Sequence, residues 1–484
     1  MCRERDLRSR VVGALSGLIV GDALGVPVEF YHRDTLQKDP VEGMRGWGTH
    51  HQPPGTWSDD SSLALCMVES ILQKGWNLED QGNRFCQWLY EGHMTPHGKV
   101  FDVGGSTKLA LSRIRMGTPA VKGGGRSELD NGNGSLMRIL PAALYFFRSP
   151  LEMLVCAVSD ASSLTHAHPR SQLACVIYSL VVRELLQGDE HKPMEQRVVQ
   201  DGVRVREGVA DAVRRVSVSL DRLAKEDSIF KNMQKEFPHF QRILDGSLFG
   251  CAPDRIRSGG YVVDTLEASL WCVVSSDSFP EAVLKAVNLG EDTDTTGAVT
   301  GGLAGALWGR ESIPEEWFLA LARSTELNSW ISEFSTLLTR PVPFPDSYWV
   351  LPGKFLAGEY PRTKDDEKSR VKLQSLLDSG ITAIADLTEE GEAPYGTPLK
   401  PYHSLMKEIA SERGAHIMVE RFPLPDGGTT STDSLRRIHQ WIDAALDNGH
   451  SVYVHCWGGH GRTGLVVGTW LVEHGLLSNE TVLP

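Results

Sequence analysis

Glycine recurs at every fourth position in two apolar stretches. One carries Gly13, Gly17, Gly21 and Gly25; the other carries Gly297, Gly301, Gly305 and Gly309. At 3.6 residues per turn, a spacing of four keeps each set on one helix face. Glycine inside a helix costs about 0.5–1 kcal/mol relative to alanine, so two such stripes need a compensating gain. A face without side chains offers one, because it lets another backbone approach closely. The stripes therefore demand a tightly packed helical core.

The surrounding sequence agrees with helices. Apolar periodicity with few strand-like runs appears at 8–24, 61–73, 151–159, 171–187, 262–274, 281–288 and 297–309. Residues 188–245 are charged and weakly periodic, and read as an outer helical elaboration. The run Pro341-Val342-Pro343-Phe344-Pro345 marks a boundary, since alternate prolines favour an extended, semi-rigid connector. Beyond it, Ile381–Ala385, His416–Val419 and Ser451–Val454 read as short buried strands. Helix-like stretches at 366–379, 401–413 and 433–448 lie between them. That alternation implies an α/β sheet covered on both faces. A chain of 484 residues is too long for one core. The expected organisation is an all-α domain over 1–337, a Pro-rich linker over 338–347 and an α/β domain over 348–484.

A net charge of −13 argues against a nucleic-acid partner, which calls for a basic face. Eight cysteines are scattered singly with no C-x-x-C pair, which suits a reducing cytoplasm better than a disulfide scaffold or a zinc site. The start is polar and lacks a signal-peptide core. Val11 to Val28 comes nearest to a membrane span, but Asp22 interrupts it, so it reads as a buried helix with no membrane partner.

Two sets of residues carry chemistry. In the first, His455-Cys456-Trp457-Gly458-Gly459-His460-Gly461-Arg462-Thr463-Gly464 follows a strand and opens a helix. Gly458, Gly459 and Gly461 let backbone N–H groups turn inward around an anion, and the helix start adds its positive end. That field favours the Cys456 thiolate, the nucleophilic form. Arg462 can bind phosphate oxygens bidentately. Thr463 can hydrogen-bond the sulfur as a leaving group, and His455 can orient the loop. Asp426, in Pro423-Leu424-Pro425-Asp426-Gly427-Gly428, is the candidate general acid, although Asp-Gly is also an ordinary turn. The loop resembles that of the dual-specificity and tyrosine phosphatases, matching all fixed positions of H-C-x-x-G-x-x-R-[ST]-G. The resemblance covers roughly 345–474 and implies their α/β sheet, a phosphocysteine intermediate and no cofactor. Past Arg462 the sequence Leu465–Val472 is apolar nearly all round, so that helix is expected to be buried on every side.

In the second set, Ser58-Asp59-Asp60 and Asp292-Thr293-Asp294-Thr295 each stand at a helix start. Either alone would be a cap. Together they hold more carboxylates than two helix ends need, and would repel unless cations sat between them. All-oxygen ligands suit Mg²⁺ or Mn²⁺ rather than zinc. These segments, with Gly21–Glu29, Gly132–Arg138 and Leu164-Thr165-His166, resemble the ADP-ribosylglycohydrolase family over about 9–310. The resemblance implies an all-α fold and two Mg²⁺ or Mn²⁺ ions. By position it makes Ser58, Asp59, Asp60, Asp292, Asp294 and Thr295 metal ligands. The family usually has threonine where Ser58 stands. Glu29 matches a mobile glutamate, as acid/base or gate. Asn131, Gly132, Asn133 and Gly134 match the loop that meets ADP-ribose, and His166 matches a ligand-contacting histidine. Tyr261 is expected to stack near the adenosine.

The expected chain is thus an all-α ADP-ribosylglycohydrolase-like domain followed by an α/β cysteine-phosphatase domain. Its partners would be an ADP-ribosylated protein or small molecule and a phosphorylated protein or small molecule. The alternative is a non-catalytic ADP-ribose-binding module that targets an active phosphatase.

Overall fold

The computed structural model describes residues 2–187, 202–226, 230–427 and 430–476. Parts of the expected 188–245 elaboration, Gly428 of the Asp426 loop and the chain end from 477 lie outside the described residues. The chain divides into two compact units, Met1–Thr336 and Leu337–Pro484.

The first unit is helical, and its described residues contain only two isolated β-bridges, Gly125 with His166 and Gly132 with Tyr261. Its centre is the pair Cys2–Gly25 and Thr293–Trp308, which pack along much of their length. The glycine stripes face each other. A Cβ built at Gly13, Gly17, Gly21, Gly297, Gly301 or Gly305 would fall within 3.0 Å of the opposite glycine's carbonyl. A Cβ at Gly25 would overlap the backbone of Thr293 and Asp294. Gly309 instead ends its helix with φ +79 beside Ser9. The helices Asp59–Lys74, Phe279–Val287 and Val262–Val274 surround this pair. By length and composition Asp6–Val28 could cross a membrane, but its most apolar stretch is almost wholly buried in the fold.

The second unit holds a five-stranded sheet: β1 (Ser347–Leu351), β2 (Phe355–Gly358), β3 (Ala383–Asp386), β4 (Met418–Arg421) and β5 (Val452–His455), in the order β1-β2-β5-β3-β4. β1 is antiparallel to β2, and the other pairings are parallel. One face carries Leu356, Ile384 and Tyr453 into a core with Leu373, Leu376, Met406 and Ile409 of the helices Asp366–Asp378 and His403–Glu412. The helices Thr432–Asp447 and Gly461–Glu473 cover the other face, where Phe355 meets Trp470 edge-on at 5.2 Å. Phe344, inside the proline-rich segment, is buried in this core and Lys372 sits over its ring at 4.3 Å. The Gly461–Glu473 helix is buried on one side only. Val466, Val467, Trp470 and Leu471 are buried, while Leu465 and Val472 keep partial exposure. Its small residues Gly464, Gly468 and Thr469 make the open face less apolar than the run of valines suggested.

Two candidate active sites

The acidic site of the first unit is assembled from four loops. Ser58 caps the Asp59–Lys74 helix through its side chain, which accepts from the Asp60 amide. Its own amide, with the Ser61 amide, donates to Asp22 at 2.9–3.1 Å. Asp22 lies within the glycine-striped first helix and is fully buried, so it clamps the Asp59–Lys74 helix onto that helix. Burial, only partly offset by these bonds, pushes its carboxyl up to about 6.

The other acidic cluster is set by an unusual backbone. Gly290 and Glu291 both have positive φ, at +81 and +62. The Glu291 conformation is uncommon for a residue with a Cβ. It is held by Phe30 N to Glu291 O at 2.6 Å, Glu291 N to Tyr31 O at 2.8 Å and Asp292 N to Ser258 O at 3.0 Å. The turn delivers Asp292, Asp294 and Thr295 to the site at the start of the Thr293–Trp308 helix.

The two clusters meet. Thr295 Oγ1 lies 3.4 Å from Asp60 Oδ2, and Ser58 Oγ donates to the same oxygen at 3.1 Å. Carboxylate oxygens of Glu29, Asp102 and Asp294 lie within 4.8 Å of one another. Asp59, Asp60, Asp292 and Asp294 are buried, and among the described residues no lysine or arginine pairs with them. Burial first, and neighbouring carboxylates second, push Asp59, Asp60 and Asp294 well above the usual carboxylate range. Among the described residues Asp60 Oδ1 has no hydrogen-bond partner. A buried, unpartnered carboxylate oxygen among other carboxylates is what hard divalent cations satisfy, so the residues fit a metal site.

The expected ligand loop adjoins this cluster. Asn133 Nδ2 donates to Asp292 Oδ2 at 2.8 Å and to Thr265 Oγ1 at 2.9 Å, and its amide donates to Gly260 O. Asn131 accepts from Ser171 and, through its carbonyl, from Val262 N. Gly132 bridges Tyr261, and His166 stands beside Gly132 and Gly134. The residues expected to contact ADP-ribose are therefore neighbours. Glu29 is buried and hydrogen-bonded to His50, whose ring lies 5.2 Å from that of Phe101. Burial, together with Asp102 and Asp292, pushes the Glu29 carboxyl up to about 7. Asp22, Asp102 and His50 escaped the sequence reading. Asp22 looked like an interruption in an apolar helix, and a buried charge in such a helix was the available signal.

The second site lies beyond the carboxyl ends of the parallel strands, where ligands of open α/β sheets bind. β5 ends at His455, paired in register with Asp386 of β3. His455 Nδ1 lies 3.1 Å from the Cys456 carbonyl, and Nε2 lies 2.7 Å from the Tyr402 hydroxyl. A carbonyl only accepts, so Nδ1 carries the proton and Tyr402 donates to Nε2. The histidine thus ties the nucleophile's backbone to the core. Gly459 has φ +77 and passes so near Gly358 that a Cβ would lie 2.6 Å from its backbone. Cys456 is buried at the base of the loop.

Arg462 stands at the start of the Gly461–Glu473 helix. Its Nη1 and Nη2 each donate to a Glu392 carboxylate oxygen at 2.7 Å, and Nη1 also donates to Leu424 O. Asp426 is exposed, with Oδ1 3.4 Å from Nη2. Arg462 Nε and Thr463 Oγ1 are buried and have no hydrogen-bond partner among the described residues. Glu392 also escaped the sequence reading; the acidic run Glu389-Glu390-Gly391-Glu392 just after a strand end was its trace. Beneath the loop, Asp386 accepts from Thr388 and His403 and, at 3.2 Å, from Arg421. Burial would raise its carboxyl, but these donors and His455 outweigh burial and hold it well below the usual range.

Comparison with known proteins bears on both units. The ADP-ribosylglycohydrolase family model matches residues 3–342. The chain belongs to the ADP-ribosylglycohydrolase family. ADP-ribosylarginine hydrolase Tri1 of Serratia proteamaculans is 30% identical over 328 residues, covering 67% of this chain and 79% of the relative. ADP-ribosyl-[dinitrogen reductase] glycohydrolase of Rhodospirillum rubrum is 30% identical, covering 66% of this chain and 93% of the relative. A solved structure described as an ADP-ribosylglycohydrolase-related protein complex is 32% identical, covers 68% of this chain and 98% of that chain, and superposes with a TM-score of 0.54. Residues 359–476 match the model for a polymorphic toxin system, DSP-PTPase phosphatase. The chain is a hydrolase joining an ADP-ribosylglycohydrolase domain to a phosphatase-like domain.

Proposed function

We propose that this glycohydrolase is bifunctional: residues 1–337 cleave the glycosidic bond between ADP-ribose and an acceptor using two Mg²⁺ or Mn²⁺ ions, and residues 348–484 hydrolyse a phosphate monoester through Cys456. The observation that carries the first half is the buried carboxylate cluster around Asp60 Oδ1, an atom with no hydrogen-bond partner and no paired lysine or arginine among the described residues. Ser58, Asp59, Asp60, Asp292, Asp294 and Thr295 would hold the ions. When bound, they would orient the ribose hydroxyls and activate water. Asn133, bonded to Asp292, fixes the ligand loop against the cluster. Glu29, with a carboxyl near neutrality, can take up or release a proton at working pH. The name of the Serratia relative makes ADP-ribosyl-arginine the first acceptor to assay.

In the second half, the Cys456 thiolate attacks phosphorus and the bond to the leaving oxygen breaks. Asp426 supplies that oxygen's proton, and water then cleaves the sulfur–phosphorus bond. Glu392 holds both Nη atoms of Arg462 and leaves Nε–H free. A phosphate can take Nε–H together with the Nη2–H that faces Asp426, as Asp426 swings to the leaving group. The unpartnered Thr463 hydroxyl is available to the sulfur. Placement in the cytoplasm belongs to this proposal and is supported by eight singly scattered cysteines with no C-x-x-C pair.

The test is product release from ADP-ribosyl-arginine and ADP-ribosyl-serine peptides with and without Mg²⁺, beside p-nitrophenyl phosphate turnover. Metal-dependent release of ADP-ribose and metal-independent loss of phosphate are expected. Tight ADP-ribose binding without turnover of either peptide would instead favour a targeting module.

A further inference from the structure

We infer that Arg138 and Thr165 are positioning residues that hold His166 as a neutral imidazole with its proton on Nε2, so that the ring offers a hydrogen-bond donor to a ligand oxygen in the Asn131–Gly134 loop. The inference rests on the reading of that loop as the ADP-ribose site.

The starting point is an arginine that burial ought to forbid. Arg138 is 0% exposed, and no carboxylate pairs with it among the described residues. A guanidinium buried without a counter-charge is costly. Its surroundings are neutral: the Met67 sulfur, the Phe85 ring face at 4.8 Å, the Ala161 carbonyl at 3.1 Å and the Thr165 hydroxyl at 2.7 Å. A guanidinium can only donate. Thr165 Oγ1 is therefore an acceptor in that bond, and its single proton must go elsewhere.

Among the described residues, the other partner of that hydroxyl is His166 Nδ1, at 2.9 Å. If Nδ1 were protonated, it too would donate to Thr165. The buried hydroxyl would then have two donors pointing at it and no acceptor for its own hydrogen, which is an expensive arrangement. The satisfied arrangement runs one way: Arg138 donates to Thr165, Thr165 donates to Nδ1, and the ring proton sits on Nε2.

The only side-chain hydrogen bond of His166 among the described residues is the one at Nδ1, so Nε2 makes none to protein. It faces the glycine loop. A Cβ at Gly132 would lie 3.5 Å from Nε2, and one at Gly134 would lie 2.8 Å from Cε1. Glycine at both positions keeps the space before the ring open. Burial and the positive charge of Arg138, opposed by Asp130, also push the imidazole down to about 3. The donor therefore persists at every physiological pH. A ring with hydrogen on Nε2 cannot bind a metal there or act as a base. It reads an oxygen acceptor, such as a phosphate or ribose oxygen.

The full chain labelled with ¹⁵N-histidine tests this by long-range ¹H–¹⁵N correlation, with His166→Gln assigning the signal. The wild type is expected to show the Nε2–H tautomer unchanged between pH 5 and 8. Thr165→Val removes the proton donor to Nδ1 and is expected to mix the tautomers, and Thr165→Ser restores the single form. Calorimetric titration with ADP-ribose is expected to weaken about tenfold for Thr165→Val and stay within about twofold for Thr165→Ser. A wild-type ring protonated on Nδ1 overturns the inference without any variant having to fold. So does a Thr165→Val spectrum identical to wild type. The expected tautomer in a protein that binds no ADP-ribose would support the positioning network and sink the proposed ligand.

Discussion

Replacing Gly21 with alanine tests the helix crossing on which the first unit is built. In an open helix the change stabilises by about 0.5–1 kcal/mol. Here the new Cβ would overlap the Gly297 carbonyl. Restoring an ordinary contact requires the distance from Cβ to that carbonyl oxygen to grow from 2.0 Å to at least 3.4 Å, so the helices part by about 1.4 Å, and a gap of that size forfeits about half or more of each dispersion contact it opens. Overpacking of this kind costs about 1–3 kcal/mol. The clash therefore wins, with a net loss of about 1–2 kcal/mol and a fall in Tm of roughly 2–6 °C. Gly208→Ala is the control: that glycine lies in the Gly202–Glu226 helix with nothing within 4 Å of its added Cβ, and it should raise Tm slightly. The separation should also reach the acidic site, because Asp22 is adjacent and Asp294 and Thr295 lie one turn from Gly297. ADP-ribosyl hydrolase turnover should fall at least about tenfold. The assay is paired thermal melts with kcat measurements. A rise in Tm for Gly21→Ala matching that of Gly208→Ala would refute the packing argument.

Three further outcomes follow from the sites. Asp60→Asn should abolish metal-dependent turnover while raising the metal-free Tm, because it removes a buried like charge; Mg²⁺ should raise the Tm of the wild type and not of the variant. Glu392→Gln should keep the fold and lower phosphatase kcat/KM by about 10–100-fold, since Arg462 loses the carboxylate that aims it; an unchanged rate would remove Glu392 from the site. Asp386 contributes stability that is present above the ordinary carboxylate value of about 3.9 and lost as pH falls toward its depressed native value. Acid melts of the wild type should therefore steepen below about pH 4, and Asp386→Asn should flatten that dependence.

Much of the fold was legible because its determinants are local. The glycine stripes, the helix periodicities and the strand–loop–helix around Cys456 are repeated or contiguous patterns. β1 and β2 were not legible: each is five residues or fewer, they flank a tight turn, and β2 ends in glycine. The paired acidic clusters could be named from sequence because each sits at a helix start with its own motif. Asp22, Asp102, His50 and Glu392 could not, because their roles come from partners far away in the chain. Asp22 faces Ser58 only because the Asp59–Lys74 helix packs against the first helix, 36 residues away in the chain. Glu392 reaches Arg462 only because β3 and β5 are neighbours in the sheet, although 70 residues separate the pair. The sequence alone determined which chemical groups were present and which local elements carried them. The tertiary structure decided which carboxylates were buried together without a cation, and that burial is what turns helix-capping residues into a candidate metal site.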